Sequence, residues 1–191
     1  MNAQFETELT DILQSIFGTA VWDDSANDTA RRVLKAWQEF TPQAKPDFKF
    51  TTFPAKRADG PSINQQIVVR DIQFSSLCAH HLFPFYGIAH VGYIPNQKLV
   101  GLSKIPRLVH HFATKPTTQE TLTAEIAQFM KHELEAMGVA VILESRHTCM
   151  SCRGVRAASA SMSTSEMRGV YLTSGEARTE FMQMVMQGHM L

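Results

Sequence analysis

Two short segments of this 191-residue chain bring cysteine and histidine together. The first is Cys78-Ala79-His80-His81, a thiol and two imidazoles within four residues. The second is His147-Thr148-Cys149-Met150-Ser151-Cys152. Thiolate and imidazole are the donors that zinc takes, and a catalytic zinc keeps one of its four positions open whereas a structural one is closed. Cys78, His81 and Cys149 would make an open site, and adding Cys152 would close it. Spacing leaves both open, together with a third reading in which Cys149 and Cys152 are buried apolar side chains. His80 and His147 weigh on the choice: a closed structural site has no use for two further imidazoles, whereas hydrolysis needs groups that give and take protons. His90, His110, His111, His132 and His189 lie outside these segments and read as structural or solvated.

Both segments fall at the ends of apolar, β-branched runs. Ile67 to Phe74 reads as a strand with Val68, Ile72 and Phe74 on one face, and Val139 to Glu144 as another. Ile88 to Ile94, Lys98 to Leu102 and Gly154 to Ser163 read as further strands. Helical spacing of Phe5, Leu9, Ile12, Leu13 and Ile16 predicts an amphipathic helix over 3–17. A second helix starts at Asn27 or Asp28 and buries Val33, Leu34, Trp37 and Phe40. Thr41 to Ser62 is rich in proline and polar residues, a loop with room for one short strand. A short helix follows Ser103, with Pro106 tolerated in its first turn. Thr117 to Met137 carries Leu122, Ile126, Phe129, Met130 and Leu134 on one stripe, with Gly138 as its C′ residue. A final helix spans Gly175 to Met186. Strands and helices come in blocks without βαβ alternation, so an α+β fold with antiparallel pairing is expected. The expected division is a helical segment over 1–45 and an α+β domain over 46–191.

Lys plus Arg and Asp plus Glu are 18 each, so no global field favours nucleic acid or a membrane surface. The start, MNAQFETELTDILQSIF, lacks a basic n-region and an unbroken apolar stretch, and no run has the length of a membrane span. The cytoplasm is the expected location, and the odd cysteine count argues against a disulfide framework.

The run from Cys78 through Ala-His-His-Leu-Phe-Pro-Phe-Tyr-Gly-Ile-Ala-His-Val-Gly-Tyr-Ile-Pro resembles the central signature of the GTP cyclohydrolase I family. Val100-Gly-Leu-Ser-Lys-Ile-Pro-Arg, Gln119-Glu-Thr-Leu-Thr and Gly138-Val-Ala-Val resemble further family segments, and His147-Thr-Cys-Met-Ser-Cys-Arg-Gly-Val the second ligand segment. The likeness runs in order across residues 28–182.

The resemblance implies that Cys78, His81 and Cys149 ligate a catalytic zinc. It implies that His80 protonates the purine at N7, that His147 is a second proton-transfer residue, and that Ser103 belongs with the catalytic residues. Glu120 would anchor guanine by accepting from the ring N–H and the exocyclic amine, an arrangement a carboxylate suits. Gln119 would sit at the same pocket edge. Thr117-Thr-Gln-Glu120 is also a capping-box pattern, a competing use for that carboxylate. Ser103, Lys104, Arg107 and Arg153 match phosphate-contacting positions, and Arg32 and Lys35 resemble an early helix that contributes further cations; a triphosphate needs such fixed cations and donors.

The implied fold is the tunnelling fold: an antiparallel sheet backed by helices, closing between copies into a homodecamer with sites at subunit interfaces. The implied reaction turns GTP and water into formate and 7,8-dihydroneopterin triphosphate. Two departures stand out. Ala79 replaces the family's usual Glu, removing a carboxylate beside the ligands, and Ala30 replaces a Pro in a first helical turn. A non-catalytic, zinc-stabilised protein of the same fold that binds pterins or purines is the rival reading.

Overall fold

A computed structural model of the chain describes residues 3–18, 28–42, 48–56 and 60–186. Asn27 and His189, weighed above as a cap and a solvated histidine, lie outside these residues. The chain divides into two compact units, residues 1–44 and 45–191.

The first unit holds α1 (Ala3–Phe17) and α2 (Thr29–Phe40), which pack on each other. Asp28 stands at the N-cap of α2, its carboxylate 2.6 Å from Arg31. Trp37, Val33, Leu34 and Phe40 are half-buried rather than buried, and Ala30 is the α2 residue that is fully enclosed. On α1 the apolar residues Phe5, Ile12 and Ile16 remain exposed.

The second unit has the expected α+β architecture. In chain order it contains β1 (Thr52–Pro54), β2 (Ile67–Leu77), β3 (Pro84–Ile94), β4 (Lys98–Val100), α3 (Lys104–Ala113), α4 (Gln119–Leu134), β5 (Gly138–His147), α5 (Thr148–Ser151), β6 (Met162–Gly169), α6 (Val170–Thr173) and α7 (Gly175–Met186). Strands β2-β3-β5-β6 form an antiparallel sheet in that order, and β1 pairs with β4. Helices α3 and α4 back one face. Phe74, Phe85, Val91 and Tyr93 of the sheet meet Leu108, Leu122, Ile126 and Met130 there, all buried. At one end of the opposite face, Tyr171 and Phe181 cover Ala140 and Ile142. Gly92 lies under that cover, where a Cβ would fall 2.7 Å from the Phe181 ring.

Three sequence expectations are corrected. Val68 does not share a face with Ile72 and Phe74: the register slips between Val69 and Ile72, with Asp71 at φ 57, and this bulge turns Val68 to the α6–α7 side. Gly138 is not a helix C′ residue. Helix α4 ends at Leu134, Glu135 adopts the left-handed conformation, and Gly138 opens β5, where the Tyr171 ring sits 2.9 Å from the place a Cβ would occupy. Gly154 to Ser163 is not one strand, because Gly154 (φ 59) and Arg156 (φ 50) both turn left-handed and β6 starts at Met162.

Candidate metal centre and active site

Strand β2 delivers Cys78. Thr117 donates its N–H to Leu77 at 2.9 Å and Ala79 donates to Thr117 at 3.0 Å, clamping the strand end against the segment that leads into α4. The chain then turns back: Leu82 donates to the Cys78 carbonyl at 2.8 Å, with Leu82 itself at φ 54. This tight return brings the imidazoles towards the thiol. Nδ1 of His81 and Nδ1 of His80 each lie 3.9 Å from Cys78 Sγ. Cys78 is buried and both histidines are exposed.

Strand β5, two places across the sheet from β2, delivers the second segment. It ends at His147, and the single-turn helix α5 follows with Cys149 in it. The Thr148 hydroxyl donates to the Pro84 carbonyl at 2.6 Å, tying α5 to the start of β3. The donor atoms of Cys78, His81 and Cys149 consequently lie within 4.8 Å of one another. Tetrahedral zinc with Zn–S of about 2.3 Å and Zn–N of about 2.0 Å spans ligand–ligand edges of about 3.5–3.8 Å. Separations of up to 4.8 Å are about 1 Å wider than those edges, and two sulfurs with one imidazole are donors zinc accepts. The residues present fit the metal.

Burial pushes the Cys149 thiol upward in pKa, the neighbouring Cys78 adds to this, and Arg153 opposes it weakly. A cation between the two sulfurs is what would favour their thiolates. Cys152 stands apart from the group. It is exposed at the C-terminal end of α5, and its Sγ donates to the Thr148 carbonyl.

His147 is held on two sides. Its ring stacks flat on Phe85, with centroids 4.6 Å apart and planes 2° from parallel. Its Nε2 lies 2.9 Å from Gln119 Oε1. Burial pushes the imidazole below the ordinary histidine range, opposed by the Glu120 carboxylate. A neutral ring at pH 7 has one N–H and one lone pair, so it can serve either direction of proton transfer.

Gln119 is fully buried, and both ends of its amide are engaged inside the chain. Residue type alone gave no signal for this, since a glutamine at the first helical position reads as a solvated one. Glu120 is exposed in the first turn of α4. The N-cap is Thr118, one residue later than a Thr117–Glu120 capping box needs, so the cap does not consume this carboxylate.

Ser103 stands at the N-cap of α3 with its side chain unused by the cap, followed by Lys104 in the first turn and Arg107 at the fourth position. Ser103 and Arg107 are exposed and Lys104 is half-buried. The apolar side of the same helix, Ile105, Leu108 and Val109, is buried, and α3 packs along β2. Arg153 is exposed just after α5. Arg32 and Lys35 belong to the first unit, where Arg32 lies 3.8 Å from Asp28 and Lys35 lies 3.9 Å from Glu39.

Fold and donor set together define an α+β protein in which three Cys and His donors that could hold a metal ion come together, with His80 and His147 in the same two segments. Comparison with known proteins narrows the class. The family model described as GTP cyclohydrolase I matches residues 5–186. The chain is 44% identical over 162 residues to GTP cyclohydrolase 1 of Sulfurihydrogenibium sp. (strain YO3AOP1), covering 85% of this chain and 83% of that protein. It is 42% identical over 185 residues to GTP cyclohydrolase 1 of Campylobacter jejuni subsp. jejuni serotype O:6, covering 97% and 96%. Among solved structures it is similar to an archaeosine synthase QueF-Like protein in the apo form, with a TM-score of 0.46 and 13% identity over 55% of this chain and 94% of that one. The chain belongs to the GTP cyclohydrolase I family and is an enzyme of it.

Proposed function

We propose that this enzyme opens the guanine ring system of GTP hydrolytically, giving formate and 7,8-dihydroneopterin triphosphate, with zinc held by Cys78, His81 and Cys149. The observation that carries the reading is the convergence of those three donors from two sheet strands, with His80 and His147 beside them. When bound there, zinc supplies Lewis acidity and lowers the pKa of a coordinated water.

The chain's own groups then have distinct tasks. His80, exposed and 3.9 Å from Cys78, is suited to protonate N7 of the purine and so make C8 electrophilic. His147, fixed by Phe85 and Gln119, is suited to move protons during opening and rearrangement of the ribose. Glu120 accepts from the guanine N–H and the exocyclic amine, a carboxylate matching two adjacent donors. The start of α3 offers backbone N–H groups together with Ser103, Lys104 and Arg107, a suitable cradle for phosphate oxygens. Arg153 adds a further cation beside Cys149, and Arg32 and Lys35 are proposed as further cations for the triphosphate. One water is consumed overall, and C8 leaves as formate. Two carbons of the rearranged ribose, C1′ and C2′, close the new ring onto the two nitrogens that had held C8, the other three ribose carbons remaining as the triphosphate-bearing side chain.

The assembly proposed is a homodecamer with interfacial sites. Strands β2 and β6 are the edges of the four-stranded sheet, and an edge strand offers unpaired N–H and C=O groups to a neighbouring copy. Among the described residues no helix is long and apolar enough to cross a membrane; a cytoplasmic location is part of the proposal. The product would serve as the entry point to pterin, folate-type or 7-deazaguanine compounds.

The test is incubation of purified, zinc-loaded protein with GTP, followed by assay of formate and of the fluorescent oxidised pterin. Both products should appear together in equal amounts. Their absence at full zinc occupancy would favour the non-catalytic binding protein.

A further inference from the structure

We propose that Gln119 is a positioning residue that fixes His147 in one tautomer, with the proton on Nε2 and the lone pair on Nδ1. The inference rests on the reading of His147 as a proton-transfer residue and adds to it which nitrogen gives and which accepts.

The amide orientation follows from its partners. Gln119 Nε2 faces the carbonyl oxygens of Leu143 at 2.9 Å and Met162 at 3.0 Å. Carbonyls only accept, so this end of the side chain must be the NH2 group. Oε1 is therefore the end that meets Ser145 Oγ at 2.6 Å and His147 Nε2 at 2.9 Å. An amide oxygen only accepts, so His147 Nε2 must carry a hydrogen. In the neutral ring the lone pair then resides on Nδ1, the open acceptor of the imidazole.

A second set of bonds ties the amide down. The Thr123 hydroxyl lies 2.7 Å from the Gln119 backbone carbonyl and gives it its only hydrogen. Thr123 therefore accepts from the Thr164 hydroxyl, 2.7 Å away. Thr164 Oγ1 in turn lies 3.1 Å from Gln119 Nε2, whose two hydrogens it shares with the Leu143 and Met162 carbonyls. The ring Gln119 amide, Thr164, Thr123, Gln119 carbonyl runs in one direction, and reversing the amide would set an oxygen against two carbonyls. Gln119 is fully buried, so water offers no competing partner. With Phe85 stacked on the imidazole, both ring tilt and tautomer are set by buried groups.

The test combines kinetics with spectroscopy on the zinc-loaded full chain. Gln119→Leu should keep zinc content and the KM for GTP within about twofold while lowering kcat by about 10- to 100-fold, the range typical for loss of a supporting partner. In a His147→Asn background the same substitution should change the residual kcat by less than about twofold, because the two residues act as one unit. A raised KM with unchanged kcat, or the same kcat loss in both backgrounds, would overturn the proposal. Should Gln119→Leu fail to fold, Thr164→Val loosens the same amide; a kcat loss that vanishes in the His147→Asn background supports the proposal, and none or an additive one overturns it. The 15N resonances of labelled histidine, assigned by their loss in His147→Asn, report the tautomer without turnover. A single Nε2-protonated form in the wild type is expected, and an Nδ1-protonated or averaged one overturns the proposal. This readout stays informative if the wild type makes no formate from GTP, an outcome that would sink the functional reading instead.

Discussion

The Thr118 hydroxyl accepts the backbone N–H of Thr121 at 3.2 Å, so α4 begins at Gln119 and Glu120 occupies its second position. A capping box would have used the Glu120 carboxylate at the third position after the cap. The cap and the proposed guanine anchor are thus separate side chains, and their energetic roles can be separated experimentally.

Thr118→Ala removes the cap acceptor and should cost about 1 kcal/mol of stability, with kcat/KM nearly unchanged. Glu120→Gln should do the reverse. Exchange of a charged acceptor for an amide that cannot accept from both guanine donors loses hydrogen bonds worth about 1.5–3 kcal/mol, or about 10- to 100-fold in kcat/KM. Thermal unfolding and GTP kinetics on the two variants check the separation. An unstable Glu120→Gln with normal kinetics would return that carboxylate to a structural role.

Metal content distinguishes the four sulfur and nitrogen candidates. Cys78→Ser, His81→Ala and Cys149→Ser should each lose most bound zinc and activity. Cys152→Ser should retain both, since its Sγ is turned to the Thr148 carbonyl on the exposed end of α5. Elemental analysis after dialysis against a weak chelator measures this. Zinc loss in Cys152→Ser would indicate a closed, four-ligand site.

His90 should make stability depend on pH. Its ring is 4% exposed and Nδ1 accepts the Asp71 backbone N–H at 3.3 Å. Burial pushes its pKa below the ordinary value, the Asp71 and Glu144 carboxylates oppose the shift, and Arg70 adds to it. The folded state therefore binds this proton less readily than the unfolded state. No cost arises while both forms are neutral. As pH falls below about 6.5 the unfolded state gains the proton first, so stability drops until the folded pKa is passed and then levels off. Urea unfolding between pH 5 and 8 should show this slope, and His90→Gln should flatten it. An unchanged slope in that variant would assign it to other groups.

Residue type and spacing mark Cys78, His81, Cys149 and Cys152 as candidate donors but leave the open and closed sites equal. It is the family resemblance that implies the three-ligand set and the roles of His80 and His147. Cys78, His81 and Cys149 come together because each segment follows a strand whose apolar residues fix it in the sheet. Gln119 and Phe85 were not read as supports of His147. A buried glutamine and a core aromatic carry no mark of what lies across the sheet, and Phe85 meets His147 only through the β3–β5 register. Helix and strand existence was legible from periodicity, whereas three local features were not. The bulge before Ile72 inverts the face of Val68, the packing of Tyr171 uses Gly138 that looked like a helix terminator, and two left-handed residues break the run after Gly154. In each case a close approach or a backbone turn overrode the pattern.

The most direct test of the proposed chemistry follows one carbon. GTP labelled with 13C at C8 is turned over by the zinc-loaded enzyme and the products are observed by NMR. The label should leave as formate, with unlabelled 7,8-dihydroneopterin triphosphate formed in equal amount. Label retained in the nucleotide, or in a ring-opened product with no formate released, would contradict the proposed reaction.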